Sequence, residues 1–395
     1  MGERRASDVA QRAGTVVGII GAGTMGGGIA QVALQAGHVV RLYDAAPGAV
    51  ERAIGRIAEN LARQATRDAP AGVERDTSAA LDRLEVAGSP TELAAGADLV
   101  IEAAVEDLAV KRDLFATLDR AAGPGAILAT NTSALSVGAI AAATADPGRV
   151  VGLHFFNPAP RMALVEVVAP PAREAVAGAA VDLMRAWGKT PVRCADTPGF
   201  IVNRVNRPFT LEALRIVEDR VATTDEVDGA VRGEGFPMGP FELMDLIGID
   251  VNLAVARALY DAFDHDERFR PSPLQERLVA DGHLGRKSGQ GFYRYEDGRR
   301  ADRTAGGPVE PEMASAIVER VTLAIVNEAF RALGERVAGM ADIDLGLRLG
   351  AGHPEGPFER MERLGGPSVA RRSLERLARS VGRRFEPASA LREEA

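Results

Sequence analysis

The stretch Thr15-Val16-Val17-Gly18-Ile19-Ile20-Gly21-Ala22-Gly23-Thr24-Met25-Gly26 decides the fold. An apolar strand runs straight into glycines spaced G-x-G-x-x-G, and a helical pattern follows through Ile29, Ala30, Val32, Ala33 and Leu34 to Gly37. Each glycine has a physical task. Gly21 makes the tight turn, Gly23 admits a pyrophosphate close to the backbone, and Gly26 lets helix and strand pack closely. The helix start at Thr24 and Met25 offers unpaired N–H groups and partial positive charge to phosphates. A second strand, Val39–Tyr43, ends in Asp44, 23 residues beyond Gly21. A carboxylate at that place binds a ribose 2′-hydroxyl. Ala45 and Ala46 follow, with no Arg to hold a 2′-phosphate, so the pattern selects NAD over NADP.

Outward from this core, strand-like and helix-like patterns alternate to about Cys194. A helical stretch covers Gly48–Arg67 and a polar excursion Asp68–Arg83. Gly96-Ala97-Asp98 leads into the strand Leu99–Ala104, and Ala126–Thr130 is a further buried strand ending at Asn131-Thr132-Ser133. Short continuous apolar strands between helices predict an α/β, Rossmann-type, doubly wound parallel sheet. Ligands of such sheets collect at the carboxyl ends of the strands. Asp44, Glu106, Ser133 and His154 all fall at or just past such ends.

Two further strands carry a candidate reactive pair. His154 lies in Val150-Val151-Gly152-Leu153-His154-Phe155-Phe156-Asn157-Pro158, and Glu166 in Leu164-Val165-Glu166-Val167-Val168. A carboxylate flanked by Leu and Val leaves water, and a buried charge needs a partner. An imidazole on the neighbouring strand supplies one, and an imidazole held by a carboxylate is a general acid/base with a fixed tautomer. The competing reading is a satisfied core His beside an edge-strand Glu.

Composition bounds the rest. With 395 residues, 46% hydrophobic and 26% charged, the chain reads as an ordinary globular protein of two or three domains. No apolar run approaches a membrane span. Met1–Arg12 carries Glu3, Arg4, Arg5 and Asp8 with no hydrophobic segment behind them, so residues 1–14 read as a disordered tail and the expected compartment is cytoplasmic. Cys194 is the single cysteine, and His38, His154, His265, His283 and His353 make no ligand pair, so no metal is expected. The net charge of −8 argues against a nucleic-acid partner.

After Thr197-Pro198-Gly199-Phe200 the pattern turns helical. Ile201–Arg220 reads as one helix, and Pro240–Phe263 as another with Met244, Ile247, Val251 and Val255 on its apolar stripe. The Gly-rich turn Gly285–Tyr293 closes this unit. The expected division is an NAD-binding domain over 15–197, an all-α domain over 198–295, a linker over 296–308 and a second helical domain over 309–395. That last segment repeats the first. Val202–Arg232 aligns without gaps on Val318–Arg348, an offset of 116, and Gly239-Pro240-Phe241-Glu242 recurs as Gly356-Pro357-Phe358-Glu359. Asn203 becomes Glu319 in the second copy, which therefore reads as structural.

Six segments in this order resemble the 3-hydroxyacyl-CoA dehydrogenase family, particularly bacterial 3-hydroxybutyryl-CoA dehydrogenases. They are Gly21–Gly26, Glu102–Leu108 with Lys111-Arg112, Asn131–Ser133, His154–Pro158 with Glu166, Asp196–Phe200 with Asn203, and Gly285–Tyr293. The resemblance implies reversible NAD-dependent oxidation of L-3-hydroxyacyl-CoA, on short chains. It makes His154 the catalytic base, oriented by Glu166, with Ser133 and Asn203 hydrogen-bonding the substrate's 3-oxygen and the surroundings of the imidazole. It places Gly21, Gly23, Thr24, Met25, Gly26, Asp44, Glu106, Lys111 and Asn131 on the cofactor. Where the family carries a Lys and a small hydroxyl residue for CoA, this chain has Asn60, Arg63 and Arg67. Ser133 and Asn203 could instead cap helices, and Lys111 could be a solvated helix charge. A related dehydrogenase of a non-CoA hydroxy acid and a non-catalytic, crystallin-like NAD-binding protein are the alternative functions. In single-copy relatives the helical domain carries the dimer contact, so the expected assembly is a monomer with an internal pseudo-dimer, or a homodimer.

Overall fold

The computed structural model describes residues 14–68, 78–169, 173–301 and 309–394. The tail expected over 1–14 lies outside them except for Gly14, as do most of the polar excursion after Asp68 and the latter part of the expected linker. The chain divides after Thr197 into two compact units.

The first unit runs β1 (Val16–Ile20), α1 (Thr24–Gln35), β2 (Val39–Tyr43), α2 (Ala49–Asp68), α3 (Ser78–Leu81), β3 (Leu84–Val86), α4 (Pro90–Ala94), β4 (Leu99–Glu102), α5 (Leu108–Ala121), β5 (Ile127–Thr130), α6 (Val137–Ala141), β6 (Val150–Phe155), β7 (Leu164–Val168), α7 (Glu174–Ala186) and β8 (Thr190–Cys194). These strands form one eight-stranded sheet in the order β3-β2-β1-β4-β5-β6-β7-β8. The run from β3 to β6 is parallel, as the alternating pattern predicts. The sheet is not parallel throughout, however: β7 runs antiparallel to β6, and β8 parallel to β7. The reason is the short connection between Phe155 and Leu164, which cannot hold the crossover that a parallel neighbour demands. β4, β5, β6 and β7 are buried along their whole length, consistent with a sheet covered on both faces.

The second unit comprises α8 (Val202–Val205), α9 (Arg207–Glu218), α10 (Thr224–Gly233), α11 (Pro240–Ile247), α12 (Ile249–Ala262), α13 (Pro273–Ala280), the hairpin β9 (Tyr295–Glu296) and β10 (Arg299–Arg300), then α14 (Pro311–Gly334), α15 (Met340–Gly350), α16 (Pro357–Arg363), α17 (Pro367–Ser380) and α18 (Ser389–Glu394). Three expectations are corrected here. Ile201–Arg220 is two helices, separated at Asn206, because Pro208 lacks the N–H that continuation would use. Pro240–Phe263 breaks at Gly248, whose φ of +108° only glycine adopts readily. The break rotates the apolar face: Ile247 and Val251 are exposed, while Ile249, Leu253, Ala256 and Leu259 are buried. Glu296, Arg299 and Arg300, read as linker, form the β9–β10 hairpin.

Contacts in this unit recur at an offset of 116 residues, or 117 from Gly239 onward in the first copy's Gly-Pro-Phe-Glu segment. Asp228 accepts from the N–H groups of Phe241 and Glu242 at 2.9 and 3.0 Å, and Asp344 from those of Phe358 and Glu359 at 2.8 and 3.3 Å. Gly239 and Gly356 lie so close to these aspartates that an added Cβ would meet them at 2.2 and 2.3 Å. α14 packs along α9 and α10, and its ion pairs are reciprocal. Arg204 reaches Glu328 at 2.8 Å and Glu335 at 2.7 Å, while Arg320 reaches Glu212 and Asp219, both at 3.1 Å. Arg268 faces Glu328, and Arg384 faces Glu212. Among the described residues no helix is long and apolar enough to cross a membrane, and no group of three potential metal ligands occurs.

Candidate active site

β1 delivers the glycine turn. Gly21 sits at φ +95°, and a Cβ there would lie 2.4 Å from the Ala103 carbonyl oxygen. A Cβ on Gly26 would lie 1.8 Å from the Gly21 carbonyl, so helix and turn touch at backbone distance. At Gly23 a Cβ would meet nothing within 4 Å, and Gly23 and Thr24 are exposed. α1 begins with no side-chain cap and no acidic residue in its first turn, leaving its N-terminal N–H groups directed at an open face. That is the donor set an anionic pyrophosphate requires. Asp44, just past β2, is oriented by two backbone donors, Ala22 N–H at 2.7 Å and Ala46 N–H at 2.8 Å. These residues fit a dinucleotide. Arg56 of α2 also reaches the turn, donating to the Ala22 carbonyl at 2.9 Å, and sequence reasoning passed it over.

At the other side of the switch in strand order stands the pair. His154 and Glu166 are direct cross-strand partners in the β6–β7 ladder. His154 Nδ1 lies 2.6 Å from Glu166 Oε2, with Glu166 fully buried and the imidazole 8% exposed. The antiparallel register creates this contact, because opposed residues place their side chains on the same face at close range. Phe156 packs its ring 4.6 Å from the imidazole centroid. The Phe155 N–H donates to Asn131 Oδ1 at 2.9 Å, tying the end of β5 to the end of β6.

Between turn and pair lies a polar network. Glu106 Oε1 accepts from Thr132 Oγ1 at 2.5 Å, from Ser133 N–H at 3.0 Å and from Ala134 N–H at 3.3 Å. Lys111 on α5 places its Nζ 3.2 Å from Glu106 Oε2 and 2.6 Å from Glu102 Oε1. Burial pushes the Glu106 carboxyl up, but the Thr132 hydroxyl, the Lys111 ammonium and the Ser133 N–H together hold it below its ordinary value.

The first unit therefore brings Gly21, Gly23, Thr24, Met25, Gly26, Asp44, Glu106, Lys111, Asn131, Ser133, His154 and Glu166 to the turns following the carboxyl ends of its strands, or to the faces beside them. Lys111 is not a solvated helix charge, since its side chain is 1% exposed between two carboxylates. Ser133 does not cap α6, a task taken by Ser136. Asn203 belongs to the second unit, inside α8 rather than at its cap. Asn60 and Arg63 are exposed on α2, with Arg63 paired to Glu59 at 2.7 Å; the side chain of Arg67 lies outside the described residues. Glu102, Thr130 and Thr132 were missed as site residues. The available signal was a carboxylate ending the apolar strand Leu99-Val100-Ile101, the same signal that exposed Glu166.

Known proteins share this sequence pattern and fold. The NAD binding domain of 3-hydroxyacyl-CoA dehydrogenase matches residues 16–197, and the C-terminal domain of the same family matches 199–295 and 317–394. The 3-hydroxyadipyl-CoA dehydrogenase of Escherichia coli (strain K12) is 39% identical over 96% of this chain and 97% of its own length. The 3-hydroxybutyryl-CoA dehydrogenase of Mycobacterium tuberculosis is 42% identical over 73% of this chain and 100% of its own. The crystal structure of a 3-hydroxybutyryl-CoA dehydrogenase from Escherichia coli K12 superposes with a TM-score of 0.86 at 38% identity, covering 97% of this chain and 98% of that one. With both family domains matched in order along nearly the whole sequence, the chain belongs to the 3-hydroxyacyl-CoA dehydrogenase family.

Proposed function

We propose that the chain catalyses the reversible, NAD-dependent oxidation of an L-3-hydroxyacyl-CoA to the 3-ketoacyl-CoA, with a short acyl chain. The observation that carries this is the buried His154–Glu166 pair, 2.6 Å apart, in a sheet whose first turn fits a dinucleotide. Gly21–Gly26 and Asp44 would hold NAD, which would supply the acceptor for the hydride leaving the substrate's C3. The protein's own task is then the proton. Glu166 engages Nδ1 of His154, so Nε2 is the nitrogen that takes the proton of the 3-hydroxyl, and the carboxylate stabilises the imidazolium that results. Ser133 hydrogen-bonds the 3-oxygen. Asp44 binds the adenosine ribose, while Asn60 and Arg63 along α2 meet the CoA phosphates, for which the Arg63 guanidinium is suited.

The tail from 309 onward serves as a structural partner of the first helical copy, an internal pseudo-dimer that supplies no catalytic residue. Its support is the reciprocity of the ion pairs: Arg204 on Glu328 and Glu335, and Arg320 on Glu212 and Asp219, are one contact made twice. Such self-complementary pairing is what a two-fold interface produces.

The deciding experiment follows NADH absorbance with acetoacetyl-CoA, and with 3-hydroxybutyryl-CoA and 3-hydroxyadipyl-CoA in the reverse direction with NAD. Turnover of a short 3-hydroxyacyl-CoA is expected. No turnover of any of them at any pH overturns the reading.

A further inference from the structure

The most fully buried charges of the first unit are not the reactive pair alone. Glu102 ends β4 with no exposed surface, and Lys111 is 1% exposed. The Glu102 carboxylate accepts three hydrogen bonds. Oε1 accepts from Lys111 Nζ at 2.6 Å and from Ala104 N–H at 2.7 Å, and Oε2 from Thr130 Oγ1 at 2.7 Å. Thr130 is its register partner on β5, and the Glu102 carbonyl takes the Asn131 N–H at 2.7 Å. Lys111 in turn reaches Glu106, which clamps the backbone of Ser133 and Ala134.

Strand order gives this cluster its place. The pyrophosphate turn follows β1, and His154 is the last residue but one of β6, with β4 and β5 between them. A dinucleotide bound at the β1 turn reaches the substrate held by His154 only by passing over the ends of β4 and β5. Glu106 and Thr132–Ser133 stand there, and Glu106 is the carboxylate of the cluster that reaches solvent, with 39% of its side chain exposed. An ammonium with Glu106 as its sole counter-charge would swing toward water rather than stay buried, because desolvation exceeds the attraction of one half-exposed partner.

We propose that Glu102 is a positioning residue for the nicotinamide end of the cofactor site, acting through Lys111 to hold Glu106 across the Thr132–Ala134 turn. This rests on the dehydrogenase reading above. Glu102 touches neither cofactor nor substrate; its effect passes along Glu102–Lys111–Glu106 and ends at the backbone of Ser133.

The test separates affinity from stability in three variants: Glu102→Gln, Lys111→Met, and Glu102→Leu with Lys111→Met. NADH binding is read by fluorescence titration and folding by the melting temperature. Removing one partner strands a buried charge, so each single variant loses stability, whereas the apolar double variant regains it. The relay requires NADH to weaken by about tenfold or more in all three variants to a similar extent, since each leaves Glu106 without its ammonium. A double variant that recovers wild-type NADH affinity together with its melting temperature overturns the proposal, leaving a merely structural ion pair. So does Glu102→Gln with unchanged NADH affinity, or losses that add. Because the titration needs no turnover, a wild-type protein inactive on every acyl-CoA would sink the dehydrogenase reading without touching this one.

Discussion

Glu212 and Glu328 occupy equivalent places 116 residues apart, yet the structure makes them energetically unequal. Glu212, 1% exposed, has guanidinium nitrogens of Arg215, Arg384 and Arg320 at 2.6, 2.7 and 3.1 Å. Glu328, 2% exposed, has those of Arg204, Arg268 and Arg331 at 2.8, 3.5 and 3.9 Å. Burial raises both carboxyls. At Glu212 the three close guanidiniums outweigh it and hold the group below its ordinary 4.5; at Glu328 burial prevails and the group lies above it. The signs then differ. The contribution of Glu212 to stability is complete above about pH 4.5 and is lost as pH falls through its lowered value. That of Glu328 is complete below about pH 4.5 and is lost as pH rises through its raised value. Glu212→Gln at neutral pH therefore removes one partner from a working buried network, at a cost of about 3–5 kcal/mol. In a helical unit of this size each kcal/mol moves the melting temperature by about 2–4 °C, so a fall of roughly 10 °C is expected. Glu328→Gln should cost less than about a third of that. Differential scanning fluorimetry and urea titration across a pH series measure both. Equal losses at neutral pH, or a Glu212→Gln gap that widens on acidification, would refute the reasoning.

Further outcomes follow from the site. His154→Ala should lower kcat by about 10²–10⁴-fold while leaving the NADH dissociation constant unchanged, because the proposed proton acceptor goes and the nucleotide turn stays. Glu166→Gln should lose less than His154→Ala in steady-state assays; a wild-type rate would mean the carboxylate does not serve the imidazole. Asp44→Ser removes the carboxylate that accepts from both Ala22 and Ala46, and with it the proposed ribose contact, so KM for NAD should rise far more than KM for the acyl-CoA. Equal changes would discard the 2′-hydroxyl assignment. Truncation after Arg300 exposes the partners of Arg320 and Arg384 and should yield an insoluble or self-associating protein by light scattering. A soluble monomer of full activity and stability would end the pseudo-dimer reading.

Local chemistry determined much of this protein. The glycine turn, Asp44, the strand periodicity and the repeat were all legible because each is a short-range pattern whose backbone consequence is nearly obligatory. Glu166 was legible because a carboxylate among Leu and Val must find a partner. Tertiary structure alone decided the rest. That His154 faces Glu166 depends on the register of β6 against an antiparallel β7, which no single strand encodes. That Lys111 is buried and not solvated depends on Glu102 and Glu106 converging from β4 and the loop after it. Whether Gly248 interrupts a helix was hidden by an apolar spacing that runs on unbroken through it. The asymmetry between Glu212 and Glu328 is invisible in a repeat that preserves both residues and all three of their arginine partners. Periodicity reports which way a residue faces, but the distance to a partner on another element, and hence the strength of a buried charge pair, exists only once the elements are packed.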